Sequence, residues 1–292
     1  MSWLQLELET NQAYAEELSV LLEEFGAISI SLTASSDEAI FDEGAEGNVL
    51  WHKTKLTALL NPKCDIDSLL LQLHQHFGSN AIYCHEIEYL KDKDWVYEFK
   101  SKYRPIFFLN KICISPSWCK PSENEIPTII LDPGLAFGTG MHPTTSLCIE
   151  WFCQNNIDNK IVIDYGCGSG ILAMVAVKFG AKKVFAIDID EQAIQTAREN
   201  IAKNELEEKI LVGHPKNITI PKADILVANI LQNPLKKLLK EFSSLTKSGG
   251  HIILSGLLAG QAKQCLVVYE TYFNMNKPVL RENWASLHGV RL

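Results

Sequence analysis

The sequence predicts an α/β protein of two domains, in which a mostly parallel, helix-covered sheet follows a smaller α+β domain. Three observations lead to this prediction. Residues 160–190 read as a strand, a glycine-rich loop, a helix and a second strand, which is the pattern of a βαβ unit. Short apolar runs then alternate with helical patterns toward the C-terminus. Residues 1–90 instead follow the order strand, helix, strand, strand, helix, strand.

Composition limits the class of protein. The chain has 292 residues, and 47% are hydrophobic, which is enough for one large or two modest domains. Its apolar runs are too short to span a membrane, and no signal peptide is evident. Eight cysteines without a CxxC pair indicate reduced thiols, no metal site and a cytoplasmic protein. The net charge of −8 and the lack of Lys/Arg runs count against direct nucleic-acid binding.

The first domain is expected over residues 1–90. Alternation of apolar and polar residues marks its strands, and apolar residues at helical spacing mark its helices. We predict strands at 3–9, 27–33, 50–60 and 81–90, helices at 13–25 and 66–77, and an acidic loop at 35–47. The order βαββαβ is that of a ferredoxin-like sandwich. Such a domain can recognise a partner or be purely structural, and the fold alone does not decide which.

A connector is expected over residues 91–110. Its first part, 92–103, is polar, aromatic and compatible with a helix, and Arg104-Pro105 opens a new run. Short strands are predicted at 106–109 and 111–115. The second domain is therefore expected over residues 111–292.

The second domain is expected to alternate strands and helices. We predict strands at 161–163, 184–187, 209–212, 223–228, 251–255, 278–282 and 285–291, and helices at 142–152, 171–179, 191–204, 235–245 and 261–272. The last two strands form a hairpin. His214, His251 and His288 have no partner visible in the sequence, so we assign them structural or solvated roles.

A glycine-rich loop, residues 164–170 with the sequence DYGCGSG, follows the first strand of this domain. Its alternating glycines let the backbone turn sharply and approach a ligand. Asp188 stands at the end of the next strand, 18 residues after Gly170, where an acid can accept hydrogen bonds from a ribose diol. Because ligands of open α/β sheets lie beyond the carboxyl ends of the strands, we predict a nucleotide-type site here. A glycine-rich turn without a ligand is the simpler alternative.

The glycine spacing also bears on the kind of nucleotide. The pattern is GxGxG, whereas dinucleotide-binding proteins use GxGxxG to bring a pyrophosphate to a helix N-terminus. The GxGxG spacing therefore departs from the dinucleotide pattern. Cys167 lies inside the loop, and we interpret it as a small packing residue rather than a nucleophile.

Two further segments carry polar side chains to the same region. Residues 129–145, IILDPGLAFGTGMHPTT, form a glycine-containing loop that could fold over a ligand, and the Pro and hydroxyl residues at its end favour a helix start. Asn229 follows the buried strand at 223–228. Its side-chain oxygen can accept a hydrogen bond from a ligand, or the residue can simply cap the strand end.

Four segments, LDPGLAFGTGMHPTT, DYGCGSGILA, AIDID and VANIL, occur in this order and together resemble the ribosomal protein L11 methyltransferases. These are class I S-adenosylmethionine-dependent enzymes. The resemblance covers the whole chain. The glycine motif alone indicates only a methyltransferase, whereas FGTGxHPTT together with NIL is much narrower. One minor departure is Glu191-Gln192 after AIDID, where a proline is common.

The resemblance implies a fold, a cofactor and a substrate. It implies a ferredoxin-like substrate-recognition domain tethered to a Rossmann-like class I methyltransferase domain with a mixed seven-stranded sheet. The implied cofactor is S-adenosylmethionine, and the implied substrate sites are lysine side chains and the N-terminal amine of the L11 protein of the large ribosomal subunit. We expect a monomer that contacts neither nucleic acid nor membrane directly. The cofactor contacts implied by the resemblance are Thr145, Gly166, Asp188 and Asn229, with Gly168 and Gly170 shaping the loop.

Asn229 is also the expected catalytic residue, because its amide oxygen can accept a hydrogen bond from the reacting amine. Two alternatives remain open at this point. The chain could methylate a small molecule or ribosomal RNA, although NIL lacks the aromatic residue that would stack on a base. It could also be a non-catalytic ribosome-assembly factor that keeps the methyltransferase fold.

Overall fold

The computed structural model of this chain describes residues 3–35, 51–78, 81–90, 103–119, 126–133 and 140–292. The chain divides into two compact units, Met1–Glu98 and Phe99–Leu292. The helix expected at 92–103 lies outside the described residues except for Tyr103, and the acidic loop expected at 35–47 does so except for Ser35. The connector therefore stays a prediction.

The N-terminal unit has the predicted order of elements. These are β1 Trp3–Asn11, α1 Gln12–Glu24, β2 Ser29–Ala34, β3 Lys53–Leu60, α2 Ile66–Phe77 and β4 Cys84–Leu90. The strands form an antiparallel sheet in the order β2-β3-β1-β4, which confirms the ferredoxin-like arrangement. Asn11 and Asp65 cap the two helices by accepting hydrogen bonds from the amides of Ala13 and Ser68.

Strand β1 supplies the centre of this unit's core. Its alternate residues Leu4, Leu6 and Leu8 are completely buried, while the residues between them face outward. They pack against the apolar faces of α1 and α2, from which Leu22 and Leu73 are also fully buried. The period-two pattern of the sequence therefore matches the two faces of the sheet.

The C-terminal unit begins with a small sheet of three strands, β5 Ile106–Phe108, β6 Ile112–Ser115 and β7 Thr128–Ile130. The first two pair in antiparallel fashion and the last two in parallel. Leu109 and Asn110, both with positive φ, make the turn between β5 and β6. Strand β7 was not predicted, because three residues are too short to show a period.

The large sheet follows. Its elements are α3 Pro143–Gln154, β8 Ile161–Tyr165, α4 Ile171–Lys178, β9 Lys183–Ile187, α5 Glu191–Lys203, β10 Ile210–Gly213, β11 Ala223–Asn229, α6 Gln232–Leu245, β12 Thr246–Leu258, α7 Ala259–Tyr269, β13 Phe273–Met275, β14 Val279–Arg281 and β15 Trp284–Arg291. The strand order is β10-β9-β8-β11-β12-β15-β13, and β14 pairs with β15 beside this row. The predicted mixed, Rossmann-like sheet of seven strands is confirmed, with β14 as an eighth.

The first five strands of the row run parallel, and β15 is antiparallel to both of its neighbours in the row. Helices cover both faces. One face packs on α3, α4 and α5 through residues such as Phe152, Val175 and Ile194, and the other packs on α6 and α7 through Phe242 and Tyr269. Such two-sided burial explains why the parallel strands are continuous apolar runs in the sequence.

Several element boundaries differ from the prediction by about three residues, and the C-terminal part of the large sheet shows two of the differences. Strand β12 spans thirteen residues rather than 251–255, and its register against β15 shifts between Leu254 and Leu257. Gly256, with φ of 82°, makes that shift possible. Helix α7 ends at Tyr269, three residues earlier than predicted, because β13 begins at Phe273.

Candidate functional site

The predicted site residues meet at the carboxyl ends of three adjacent strands. The glycine loop follows β8, Asp188 follows β9, and Asn229 ends β11, and β8 lies between the other two strands. After β8, the chain adds β9 and β10 on one side of it, and β11 then pairs with its other side. The strand order therefore reverses at β8. This is where open α/β sheets leave a crevice for a ligand.

The three glycines of the loop all have positive φ, which side-chain-bearing residues rarely adopt. The angle is 77° at Gly166, 51° at Gly168 and 78° at Gly170. The amides of Gly166 and Cys167 both donate to the carbonyl oxygen of Ile187, at 2.7 and 2.9 Å, and so tie the loop to the end of β9. The loop is thus a fixed, tightly turned backbone without Cβ atoms at its three glycines.

Asp188 is held in place by two backbone amides. Its Oδ2 accepts from the amide of Gly168 at 2.9 Å, and its Oδ1 accepts from the amide of Asp190 at 3.1 Å. Each carboxylate oxygen has a second lone pair, so the group can still accept from two hydroxyls. This is the geometry expected for binding a ribose diol.

Asn229 and Thr145 form the polar pair on the other side of β8. The Asn229 Nδ2 donates to Oγ1 of Thr145 at 3.2 Å. Thr145 is fully buried in the first turn of α3. The Asn229 Oδ1 is buried and has no hydrogen-bond partner among the described residues. An amide oxygen fixed in this way is available to a ligand that donates a hydrogen bond.

Two glycines make room for Ile230, which follows Asn229. A Cβ at Gly166 would overlap the Cγ2 atom of Ile230, and a Cβ at Gly256 would lie 2.7 Å from its carbonyl carbon. The first glycine of the loop and the irregular glycine of β12 therefore both pack against the residue beside Asn229. We did not predict a role for Gly256, although an isolated glycine after an apolar strand is a signal of close backbone approach.

Asp164 is a further buried polar residue of the site that had no predicted role. Its Oδ2 accepts from the amide of Ala173 at 3.0 Å, in the first turn of α4, where Gly170 at the cap position has no side chain to do so. Its Oδ1 is buried without a partner among the described residues. Burial raises the pKa of this carboxyl to about 7, and the nearby Asp188 adds to the rise.

The segment at 129–145 is described only in part. Gly134 and Gly138 lie outside the described residues, so the expectation that this loop folds over a ligand stays untested. At its end, a Cβ at Gly140 would lie 3.4 Å from Cδ1 of Ile171, the first residue of α4. The carbonyl of Gly140 accepts from the Ser146 hydroxyl at 3.0 Å. The end of the loop therefore adjoins the glycine motif.

Cys167 behaves as a packing residue. Its side chain is buried, and burial together with the Asp164 and Asp188 carboxyls raises the pKa of its thiol well above the usual value. A thiolate nucleophile is therefore disfavoured at this position. Across the part of the chain that the structure describes, no cluster of three or more His, Cys, Asp or Glu side chains could hold a metal ion.

His251 and His288 form a pair in the structure, a contact that the sequence did not show and that gives both residues a structural role. The Nδ1 of His251 and the Nε2 of His288 are 3.0 Å apart, and Trp151 of α3 packs on both rings. The other ring nitrogen of His288 lies 3.0 Å from the Asn276 amide nitrogen. Cross-strand contacts of this kind depend on register, which the sequence pattern did not reveal. His214 is a local turn residue that accepts from the amide of Lys216.

These features fit an S-adenosylmethionine-type ligand. The glycine backbone leaves space for the chain of a methionine group, Asp188 suits a ribose, and the free oxygens of Asn229 and Asp164 can face groups that donate hydrogen bonds or carry positive charge. The residues expected to hold the cofactor are therefore brought together, with Thr145 joined to them through Asn229.

The sequence comparisons match essentially the full length of the chain, and the structural comparison matches about two thirds of it. A family model described as ribosomal protein L11 methyltransferase matches residues 2–292. The chain is 44% identical to the ribosomal protein L11 methyltransferase of Shewanella woodyi and 40% identical to that of Nitrosococcus oceani, and each alignment covers 100% of both proteins. A solved structure of a ribosomal protein L11 methylase from Lactobacillus delbrueckii subsp. bulgaricus matches with a TM-score of 0.57 and 33% identity, over 65% of this chain and 99% of that one.

Proposed function

The chain belongs to the ribosomal protein L11 methyltransferase family, and we propose that it transfers methyl groups from S-adenosylmethionine to lysine side chains and the N-terminal amine of ribosomal protein L11. The observation that carries this proposal is the side-chain amide of Asn229. Its oxygen is buried, has no hydrogen-bond partner among the described residues, and lies at the carboxyl end of β11, the strand next to the one that leads into the glycine loop. A chain that had kept only the fold would not need such a group there, because an unpaired buried oxygen costs stability.

The cofactor would be held by the residues that the crevice brings together. Thr145, Gly166, Asp188 and Asn229 would contact it, and Gly168 and Gly170 would shape the loop around it. When bound, the cofactor supplies an electrophilic methyl group on a positively charged sulfur. Asp188 would accept from the ribose hydroxyls while its own position is set by the Gly168 and Asp190 amides.

The chain's main catalytic task is to present a neutral amine in line with the methyl group. A free lysine amine has a pKa of about 10.4 and is almost wholly protonated at neutral pH. Burial of the amine in the crevice would lower that pKa, because desolvation disfavours the cation. The Asn229 Oδ1 then accepts a hydrogen bond from the amine and orients its lone pair. Water can take the released proton, so a dedicated general base is not needed.

Thr145 acts through Asn229. Its hydroxyl accepts from the Asn229 Nδ2 and fixes which end of the amide faces the ligand. Thr145 is itself fixed by complete burial at the start of α3, where the His142 side chain accepts from the Thr144 amide at the cap position. This arrangement presents the amide oxygen before substrate arrives, which reduces the ordering needed on binding.

The proposed role of the N-terminal unit is recognition of the protein substrate, with residues 91–110 as a connector that lets bound substrate reorient. Charge supports this division. Residues 1–98 contain 18 acidic and 5 basic side chains, whereas residues 99–292 contain 17 acidic and 22 basic ones. A unit with a net charge of −13 attracts a lysine-rich partner over a distance. Methylation by a variant lacking residues 1–90 tests this role, since full activity on L11 without them would reject it.

The remaining proposals concern where and with what the protein works. We propose that it acts in the cytoplasm as a monomer and contacts neither nucleic acid nor membrane directly. Seven of the eight cysteines have described side chains and are free thiols, which suits a reducing compartment. None of the helices in the described ranges is both long and apolar enough to cross a lipid bilayer. Light scattering of the purified protein would test the monomer.

The experiment that tests the reaction uses purified full-length protein, S-adenosylmethionine and L11. We expect the mass of L11 to rise by whole methyl groups, with peptide mapping placing them on lysines and the N-terminus. The Asn229→Ala variant should lose this activity, and Asn233→Ala, an exposed asparagine in the first turn of α6, should keep it. An Asn229→Ala protein that folds and turns over at the full rate would reject the catalytic role.

A further inference from the structure

Asp164 is a buried acid that has no positively charged partner among the described residues. Its side chain is 1% exposed, its Oδ2 accepts the Ala173 amide, and its Oδ1 has no partner among the described residues. The ionisable groups that interact with it are Asp188 at the end of β9, Cys148 of α3 and Cys167 of the loop. None of these three can become a cation. A charged carboxylate here therefore lacks the compensation that buried charges normally have.

The same carboxyl lies next to the proposed cofactor site, buried behind the start of the glycine loop. Asp164 lies two residues before Gly166, at the carboxyl end of β8, and it acts electrostatically on the Asp188 carboxyl. The cofactor proposed for this site carries one net positive charge because of its sulfonium, whereas its demethylated product carries none. The ligand before methyl transfer thus supplies the positive charge that the protein lacks, and the ligand after transfer does not.

We propose that Asp164 is a proton-linked counter-charge for the cofactor: it holds a proton in the free protein, releases it to solvent when the sulfonium form binds, and takes a proton back once methyl transfer has removed the positive charge. The inference rests on the proposed function. It assigns to Asp164 a role in discriminating cofactor from product, in addition to its role as the cap of α4. The linkage follows from the rule that a nearby cation favours the charged form of a carboxyl.

The size of the effect follows from where Asp164 titrates. Because burial raises the pKa of Asp164 to about 7, roughly half of the free molecules hold the proton at pH 7. If Asp164 is fully ionised in the bound form, the apparent dissociation constant exceeds that of fully ionised protein about elevenfold at pH 6 and is almost unchanged at pH 8, because the protonated molecules must first lose their proton. We therefore expect the dissociation constant for S-adenosylmethionine to fall about tenfold between pH 6 and pH 8. That for S-adenosylhomocysteine should change less.

Isothermal titration calorimetry of the full-length protein tests this linkage. Titrations with S-adenosylmethionine in phosphate and in Tris, whose ionisation enthalpies differ, give the number of protons released per cofactor bound. We expect about half a proton from Asp164 at pH 7 and fewer for S-adenosylhomocysteine. The cofactor's own amine titrates in the same range, but it contributes equally to wild type and variant, so their difference isolates Asp164.

The Asp164→Asn variant keeps an oxygen for the Ala173 amide and mimics the protonated acid. Because the bound wild type is ionised, this variant should bind more weakly than wild type at pH 6 and at pH 8, with a deficit about tenfold larger at pH 8, and it should lack the Asp164 share of proton release. Glu207→Gln, which removes an exposed carboxyl from the same unit, should match wild type throughout. Equal proton release by wild type and Asp164→Asn would overturn the proposal.

If Asp164→Asn does not fold, proton release measured on the wild-type protein still tests the proposal. Equal proton release with cofactor and product, or none with either, would overturn the counter-charge role. Binding of S-adenosylmethionine without linkage would leave the proposed function standing and remove only this inference. No binding of S-adenosylmethionine at any pH would instead remove the proposed function.

Discussion

Gly256→Ala is the substitution that tests most sharply how the fold positions Asn229. Gly256 lies in β12 and is not itself a proposed ligand contact, but its φ is 82° and an added Cβ would lie 2.7 Å from the carbonyl carbon and 3.0 Å from the amide nitrogen of Ile230. Ordinary contacts of this kind begin near 3.4 Å. The backbone of Ile230 must therefore move by several tenths of an ångström, and Asn229 precedes it directly in the chain.

A matched control exists in the same strand. Gly249 has φ of 73°, close to that of Gly256, but a Cβ there would meet nothing within 4 Å. Both alanines incur the left-handed backbone cost of about 1–2 kcal/mol. Gly249→Ala should therefore lower the melting temperature by a few degrees and leave turnover unchanged. Gly256→Ala should show this loss of stability plus a fall in kcat of roughly 10- to 100-fold, because a displacement of up to about 1 Å costs that much in positioning.

The assay is turnover on L11 with saturating cofactor, together with thermal melting of both variants. Cofactor affinity should fall less than kcat in Gly256→Ala, since Asp188 and the glycine loop are held by other contacts. If Gly256→Ala and Gly249→Ala have the same turnover and the same melting temperature, the packing of Gly256 on Ile230 does not position Asn229, and the reasoning fails.

Three further predictions use other parts of the molecule. Gly166→Ala should weaken S-adenosylmethionine binding at least tenfold by calorimetry, because φ is 77° at this position and a Cβ would overlap Ile230. Unchanged affinity would contradict the role of Gly166 in the cofactor site. Thr145→Val, which keeps the shape but removes the acceptor for the Asn229 Nδ2, should lower kcat about tenfold, whereas Thr145→Ser should largely keep it. The pKa of His288 is lowered from 6.5 to about 4, chiefly by burial and then by His251. Between these pH values the unfolded chain binds a proton that the folded chain does not. The stability that His288 contributes above pH 6.5 should therefore be lost as the pH falls toward 4. Urea titrations should show that His288→Gln reduces this loss, by roughly 1–2 kcal/mol after allowance for partial exposure, and an unchanged pH profile would exclude the histidine pair as its source.

The sequence predicted those parts of the fold that depend on local periodicity. The βαββαβ order of residues 1–90 and the parallel strands around the glycine loop are confirmed, since alternation and apolar runs are direct consequences of which faces are buried. Strands β7 and β13 were missed because three residues contain too little pattern. The length of β12 was missed because two glycines at 249–250 read as a turn, whereas the structure extends the strand through them.

For the candidate site, the sequence patterns placed Gly166, Asp188 and Asn229 at or just after the ends of predicted strands, and the family resemblance supplied their expected contacts. What spacing could not reveal are contacts between residues distant in sequence. The packing of Gly256 on Ile230 and the pairing of His251 with His288 depend on strand register and crossover. The environment of Asp164 likewise depends on how completely α3, α4 and the loop exclude water from one carboxyl.

The most direct test of the central claim is the mass of L11 from cells with and without this gene. L11 should lose whole methyl groups when the gene is deleted, regain them with the wild-type gene, and fail to regain them with Asn229→Ala. An unchanged L11 mass beside a shift in another component would keep the methyltransferase chemistry but contradict the proposed substrate. Full restoration by Asn229→Ala would contradict the proposed site.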